Sequence, residues 1–150
     1  MWTYQHSVST TVPPALLWAC YANADVWPEF DAGLEQVTLE GPFTAGTRGT
    51  LLPKEGDPRG HEQLPFVLVR AVRNGGFTAQ TEVPGVVVMR FVHTLTALPG
   101  GGTRIVHGVE IDGPAADEVG PQAGPGITTI IPDIVSALIR VAADRGGLSA

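Results

Sequence analysis

The sequence predicts an α+β fold in which one strongly curved antiparallel sheet of about seven strands wraps around a long C-terminal helix. Two observations support this prediction. Most of the chain up to Gly113 consists of short segments in which apolar and polar residues alternate, a pattern typical of half-buried strands. From Ile127 to Asp144, apolar residues instead recur at helical spacing. Two short helices are expected between the first strand and the rest of the sheet, after Pro13-Pro14.

Length and composition favour one domain over residues 1–150 and exclude several classes of partner. The formal net charge is −6 and there is no run of Lys or Arg, so nucleic acid and anionic membranes are not expected as partners. Cys20 is the only cysteine, which rules out an internal disulfide and fits a reducing compartment. No signal peptide is recognisable, and no apolar run approaches the roughly 18 residues of a membrane span. We therefore expect a cytoplasmic monomer or homodimer.

The N-terminal segment alternates cleanly, so that Tyr4 and His6 share the apolar face of a first strand. Pro13-Pro14 ends this strand and starts a short helix up to Ala22, because proline is tolerated in the first helical turn. Asn23 or Asp25 can cap a second short helix that ends near Phe30. Its aromatic residue Trp27 is expected in the core or in a cavity wall.

Two more strands are expected at Leu34–Glu40 and Arg48–Pro53. The following segment, Lys54–His61, has two glycines, a proline and mostly charged side chains. This composition predicts a mobile polar loop at the mouth of a pocket.

Asn74-Gly75 predicts a two-residue turn between strands at Gln63–Arg73 and Phe77–Val83. Both faces of the first of these strands are apolar, so its inward face depends on the next turn. A three-residue turn at residues 84–86 would point Arg70 inward, whereas a two-residue turn would point it outward. We favour the inward alternative, because it keeps together the large apolar side chains Phe66, Phe77, Met89 and Phe91.

The last two strands form the hairpin with the strongest functional signal. A three-residue turn at Pro99-Gly100-Gly101 would place His93 opposite His107 on one face. The same register places Arg90 opposite Glu110 on the other face, and a slip by one residue would break both pairs. We therefore predict that two histidines face each other on the inner, apolar side of the sheet.

The C-terminal helix is predicted over Ile127–Asp144, after an acidic segment, Ala115–Gly126, that glycine and proline break up. Pro132 either kinks this helix or marks its real start. The apolar face of the helix would cover the sheet with side chains that include Ile130, Ile134 and Leu138.

Short motifs spread over nearly the whole chain carry a family resemblance: Val12-Pro13, Leu17-Trp18, Asp25–Asp31 (DVWPEFD), Gly41-Pro42-Phe43, Gly46-Thr47, Gly102-Thr103-Arg104 and Gly113-Pro114. Together they resemble the START-related helix-grip superfamily, also called SRPBCC, in its polyketide cyclase/dehydrase branch. The resemblance implies an elongated cavity for a hydrophobic ligand, in a family that contains aromatase/cyclases, ligand carriers and no universal catalytic motif. It also implies that the first strand pairs with the last, which would set His6 beside His107 and His93.

Two functions stay open for such a cavity. In an enzyme that cyclises or isomerises a polyketide-like substrate, one histidine could act as base and its neighbour as acid. An inward Arg70 could hold an enolate or carboxylate. In a non-catalytic carrier or sensor of a hydrophobic ligand, the histidines would only satisfy hydrogen bonds with each other or with Thr and Tyr neighbours.

A zinc site built from His6, His93 and His107 is a further alternative. The face of these histidines offers no carboxylate partner, so we expect neither a metal nor another cofactor. The candidates for catalysis are therefore His6, Arg70, His93 and His107. The expected ligand contacts are Tyr4, Trp27, Phe66, Phe77, Met89, Phe91, Ile130, Ile134 and Leu138.

Overall fold

The computed structural model describes residues 1–148 and confirms the α+β fold within them. Its strands are β1 (Trp2–Thr10), β2 (Leu34–Leu39), β3 (Arg48–Pro53), β4 (Leu64–Val72), β5 (Gly76–Val83), β6 (Val87–Ala97) and β7 (Thr103–Asp112). Its α-helices are α1 (Pro14–Tyr21), α2 (Trp27–Phe30), α3 (Ala116–Thr128) and α4 (Ile131–Arg145). A single 3-10 turn at Ala24–Val26 precedes α2, and the Asn23 side chain caps it by accepting from the Asp25 amide.

All strands belong to one antiparallel sheet in the order β1-β7-β6-β5-β4-β3-β2. The first and last strands are neighbours, as the family resemblance implied, and the curved sheet surrounds the long C-terminal helix. The core lies between the inner face of the sheet and the helices. Fully buried side chains from both layers meet there, among them Leu17 of α1, Leu68 of β4 and Leu138 of α4.

The predicted register of the last hairpin is confirmed. His93 of β6 pairs with His107 of β7, and Arg90 pairs with Glu110. On the outer face the Arg90 guanidinium lies 3.6 Å from the Glu110 carboxylate. Across the other edge of β7, His6 pairs with His107, so the three histidines occupy neighbouring positions on adjacent strands.

The prediction that Arg70 points inward is wrong. The next turn does have three residues, since Val83 pairs with Val87. A bulge at Val69, between the paired residues Leu68 and Arg70, however, shifts the register of β4. A bulge places two residues of one strand opposite one of its partner and turns the following side chains to the other face. Arg70 is consequently exposed on the outside of the sheet.

The two-residue turn predicted at Asn74-Gly75 is also wrong. Val72 pairs with Gly76, so the connection between β4 and β5 contains three residues. Asn74 adopts a positive φ of 60°, which asparagine tolerates better than most residues.

The C-terminal region differs from the expected single helix. The segment expected to be broken forms helix α3, although Pro121 and Pro125 lie inside it. The small residues Gly120 and Gly124 face the sheet, where the Trp2 indole packs so closely that a Cβ atom at either position would overlap it. This close packing favours α3 in spite of its poor helical propensity. Pro132 lies in the first turn of α4, so it marks the real start of that helix.

The continuous stretch Ala116–Arg145 is long and apolar enough to cross a membrane, by length and composition alone. The expectation that no such run exists is therefore wrong. Core helices of soluble proteins meet the same criterion, and α4 buries Val135, Leu138 and Ala142 completely. The protein thus covers part of this apolar stretch, since 39% of its most apolar window is buried.

Candidate functional site

A cavity of about 530 Å³ lies between the inner face of the sheet, α2, α3 and the first turn of α4. This volume is in the range of small-molecule sites. Aromatic and aliphatic side chains form most of its wall. Seven of the expected ligand contacts line it: Trp27, Phe66, Phe77, Met89, Phe91, Ile130 and Ile134.

Two expected contacts do not reach the cavity. Tyr4 lies on the edge strand β1, and α3 covers the inner face of that strand through the packing of Trp2 on Gly120 and Gly124. Leu138 is fully buried about one turn beyond Ile134, where α1 packs against α4 and leaves no space. Only the first turn of α4 therefore contributes to the cavity wall.

His93 lines the cavity and is held by the neighbouring strand β5. Its Nδ1 lies 3.2 Å from the carbonyl oxygen of Phe77, and its ring stacks on the Phe77 ring with centroids 3.9 Å apart. Because a carbonyl can only accept, Nδ1 carries the proton and donates it. Burial lowers the pKa of His93 to about 4, in spite of the opposing effect of the Phe77 and Phe91 carbonyls. His93 is therefore neutral near pH 7, with its lone pair on Nε2.

His107 also lines the cavity and is bonded to Tyr21 of α1. The Tyr21 hydroxyl oxygen lies 2.6 Å from Nε2 of His107, and both residues are buried. Burial lowers the pKa of His107 well below its usual value, and the nearby His93 and His6 lower it further. Burial raises the pKa of the Tyr21 phenol. Both partners are therefore neutral, and the histidine rings meet edge to face with centroids 4.6 Å apart.

The other two polar candidates lie outside the cavity. His6 is half-buried beside His107, but it is on β1, whose inner face is covered by α3 and α4. Arg70 is exposed on the outer face because of the bulge in β4. The four residues proposed for catalysis are thus reduced to His93 and His107 as groups that a ligand can touch.

A charged cluster at the cavity was not predicted from the sequence. The Arg59 guanidinium donates to both carboxylate oxygens of Asp31, at 2.8 and 2.9 Å. Its Nε donates to Asp57 at 2.8 Å. The hydrogen bonds that Arg59 donates to Asp57 lower the pKa of the Asp57 carboxyl. Asp31 and Arg59 both line the cavity. The loop predicted at Lys54–His61 reaches the cavity through Pro58 and Arg59, and this cluster joins it to the end of α2; its mobility stays a prediction.

Two signals were missed for different reasons. Tyr21 lies in an apolar helix, so its hydroxyl gave no sign of a partner 86 residues away. Asp31 and Arg59 are 28 residues apart. The sequence showed only the short spacing of Asp57 and Arg59. The Arg59 backbone amide donates to the Asp57 side chain there and closes a local turn.

No group of three or more His, Cys, Asp or Glu side chains in residues 1–148 is arranged to hold a metal ion. The Tyr21 hydroxyl already occupies Nε2 of His107. The three aligned histidines therefore do not form a preorganised set of metal ligands in this part of the chain.

A curved seven-stranded sheet, a long C-terminal helix and an apolar cavity between them define the helix-grip fold, and solved structures share it. Norcoclaurine synthase from Thalictrum flavum, in complex with dopamine and hydroxybenzaldehyde, matches with a TM-score of 0.72 at 12% identity, over 95% of this chain and 86% of that chain. Ara h 8.0201 matches with a TM-score of 0.67 at 18% identity, over 93% and 96% of the two chains. DR_A0006 from Deinococcus radiodurans matches with a TM-score of 0.60 at 13% identity, over 95% and 96%.

These neighbours are Bet v 1-like members of the SRPBCC/START helix-grip superfamily, so the predicted resemblance is confirmed at the level of the fold. No protein-family model matches the sequence, and no curated protein matches it either. At identities below 20%, the likeness shows the fold alone and leaves the reaction to be argued from the cavity.

Proposed function

We propose that this protein binds a hydrophobic, polyketide- or lipid-like molecule in its cavity and acts on it as a polyketide cyclase/dehydrase in the cytoplasm. The observation that carries this proposal is the largely apolar cavity of about 530 Å³ with two adjacent neutral histidines in its wall. Apolar walls with a few convergent polar groups are typical of small-molecule sites. Proteins of this fold typically bind hydrophobic small molecules, which supports the binding part.

The proposed reaction is an intramolecular aldol condensation. A neutral histidine takes a proton from a carbon next to a carbonyl, and the electron pair of the broken C–H bond forms the enolate. The enolate carbon forms a C–C bond to a second carbonyl of the same chain, whose oxygen becomes an alkoxide and takes the proton back. Loss of one water gives the cyclic product. A closed apolar cavity would fold the chain and bring the two carbons together.

A non-catalytic carrier or sensor is the second candidate, and a specific observation favours it. Each histidine already has a buried hydrogen-bond partner, Phe77 or Tyr21, as expected of polar groups that merely stabilise a core. The lowered pKa values also make both imidazoles weak bases. The complex of norcoclaurine synthase supports the enzyme, because an enzyme of this fold holds an aromatic amine and an aldehyde.

Binding is tested with the fluorescent dye 1-anilinonaphthalene-8-sulfonate, whose aromatic rings enter apolar sites. Ala79 lines the cavity on β5, so Ala79→Phe is expected to fill part of it and to weaken dye binding about tenfold. Val69 is exposed on the outer face, so Val69→Phe adds the same ring without touching the cavity and should bind the dye as the original protein does. Circular dichroism verifies that both variants fold. Equal dye affinity in both variants would contradict binding in the cavity.

Catalysis is tested with 1-phenylhexane-1,3,5-trione, whose ring closure with loss of one water gives 3,5-dihydroxybiphenyl. Product formation is followed by liquid chromatography and mass spectrometry for His93→Gln and His107→Gln. His6→Gln is the matched control, because His6 neighbours His107 but lies outside the cavity. The enzyme proposal requires turnover that both cavity variants lose and the control keeps. Full turnover in both cavity variants would exclude acid–base catalysis, and binding without conversion would favour the carrier.

A further inference from the structure

The two cavity histidines use different ring atoms for their hydrogen bonds to the protein. His93 donates from Nδ1 to the Phe77 carbonyl, which leaves Nε2 for a ligand. His107 is bonded to Tyr21 through Nε2, which leaves Nδ1. The chemistry that the cavity offers depends on where the proton of His107 lies.

The burial of Tyr21 decides the direction of its hydrogen bond. Tyr21 has 0% of its surface exposed, and Nε2 of His107 is the one partner of its hydroxyl among residues 1–148. If Nε2–H donated to the phenol oxygen, the phenol proton would be buried without an acceptor, which costs about 1–3 kcal/mol. The hydroxyl therefore donates to Nε2, and the proton of neutral His107 lies on Nδ1.

Both free ring atoms reach the cavity. Within residues 1–148, Nδ1 of His107 and Nε2 of His93 form no hydrogen bond with the protein, yet no buried side-chain nitrogen or oxygen there lacks a partner. Both atoms must therefore have accessible surface, and both residues line the cavity. The wall consequently presents one N–H donor, from His107, beside one lone pair, from His93.

We propose that this donor–acceptor pair recognises a 1,3-dicarbonyl compound or its enol, and that Tyr21 is the positioning residue that sets the pair. One carbonyl oxygen of such a ligand accepts from Nδ1–H of His107. The enol O–H, or the acidic C–H between the carbonyls, points to Nε2 of His93. When that C–H proton moves to Nε2, its electron pair enters the enolate, whose oxygen keeps the hydrogen bond from His107. This inference rests on the proposed function and gives the ligand of the cavity a chemical class.

The tautomers are measured directly by long-range ¹H–¹⁵N correlation spectra of ¹⁵N-labelled protein near pH 7. The rings of His93 and His107 are both expected to be protonated on Nδ1 and unprotonated on Nε2. In Tyr21→Phe the hydrogen bond that fixes the tautomer is lost, so His107 is expected to populate both the Nδ1–H and the Nε2–H tautomers while His93 stays unchanged. A His107 ring protonated on Nε2 in the original protein would overturn the assignment, and this readout needs no variant to fold.

Ligand recognition is tested with 1-phenylbutane-1,3-dione against 1-phenylbutan-1-one, which lacks the second carbonyl. Titrations of the original protein are expected to show a preference of about tenfold for the dione. In Tyr21→Phe both ketones should bind more weakly, by about twofold to tenfold, because the carbonyl oxygen of each accepts from the donor at His107. The preference for the dione, which the lone pair of His93 provides, should remain. Equal affinity of the original protein for both ligands, or an unchanged affinity of a folded Tyr21→Phe for the dione, would overturn this recognition alone. Failure of both ligands to bind would overturn it together with the proposed function.

Discussion

Arg59 binds both carboxylate oxygens of Asp31 and thereby joins the loop after β3 to the end of α2. The two side chains are only 12% and 10% exposed, and Asp57 holds the same guanidinium from the other side. The three charges sum to −1, so each carboxylate depends on Arg59 for compensation. Because Asp31 and Arg59 line the cavity, this cluster also fixes part of the cavity wall.

Replacement of Arg59 by Gln is expected to lower the free energy of unfolding by about 3 kcal/mol, because it leaves two poorly exposed carboxylates without their cation. Urea denaturation measures this change. Arg73 is exposed, so Arg73→Gln removes the same charge without a buried partner and should change stability by less than about 0.5 kcal/mol. Similar losses in both variants would show that the cluster contributes no more than a surface charge.

Thr103 connects two of the sequence motifs that suggested the fold. Its hydroxyl donates to the Val12 carbonyl at 2.7 Å, and Thr103 is fully buried at the start of β7. Thr103→Val keeps the shape but leaves that carbonyl unpaired, so we expect a loss of about 1–3 kcal/mol in urea denaturation. Thr96→Val, on an exposed position of β6, is the control and should not lower stability. Unchanged stability in Thr103→Val would mean that the Val12 carbonyl finds another donor.

The register of β6 and β7 could be predicted because three independent signals agree. Alternation, the length of the turn and the pairing of Arg90 with Glu110 all require the same alignment. β4 offered no such agreement, since both of its faces are apolar and the bulge at Val69 leaves a valine 42% exposed. A bulge cannot be located by alternation when a shift of one residue leaves the pattern apolar on both sides.

Helix α3 and the partners of the site could not be predicted for another reason. Pro121 and Gly124 have low helical propensity, so the sequence does not predict a helix there. In the structure, the packing of Trp2 on the glycine face of α3 compensates for this low propensity. Tyr21 and Arg59 act through contacts with residues far away in sequence. Sequence patterns show which face a side chain takes within its own element, but they do not show which distant group it meets.

The packing of α3 on Trp2 leads to opposite expectations for two glycines of the same helix. A Cβ atom at Gly124 would overlap the Trp2 indole, whereas at Gly126 it would meet nothing within 4 Å. Gly124→Ala should therefore destabilise the protein by about 1–3 kcal/mol. Gly126→Ala should stabilise it by up to about 1 kcal/mol, because alanine favours the helix. Thermal unfolding of the two variants gives the comparison, and a shift of Tm in the same direction for both would contradict this packing.

The lowered pKa of His93 makes stability depend on pH. The unfolded chain binds a proton at this residue below about pH 6.5, whereas the folded protein binds it only below about pH 4. Stability contributed by neutral His93 is therefore complete above about pH 6.5 and is lost progressively as the pH falls to about 4. The full loss corresponds to about 3 kcal/mol. His107, which faces His93 from β7, changes stability in the same direction, and the neutral Tyr21 phenol does not titrate in this range.

Urea denaturation of the original protein and of His93→Gln near pH 7 and pH 5 measures this dependence. At pH 5 the original protein is expected to lose up to about 2 kcal/mol more than the variant, which cannot take up the proton. Thr96→Gln, at an exposed position of β6, is the control and should show the pH dependence of the original protein, because it leaves every titratable side chain in place. Asp31, Arg59 and Glu82, the charged groups of the cavity wall, are present in all three proteins, so the comparison isolates the change at position 93. If His93→Gln lost as much stability as the original protein, His93 would take up its proton above pH 5 in the folded protein as well, which would contradict its lowered pKa.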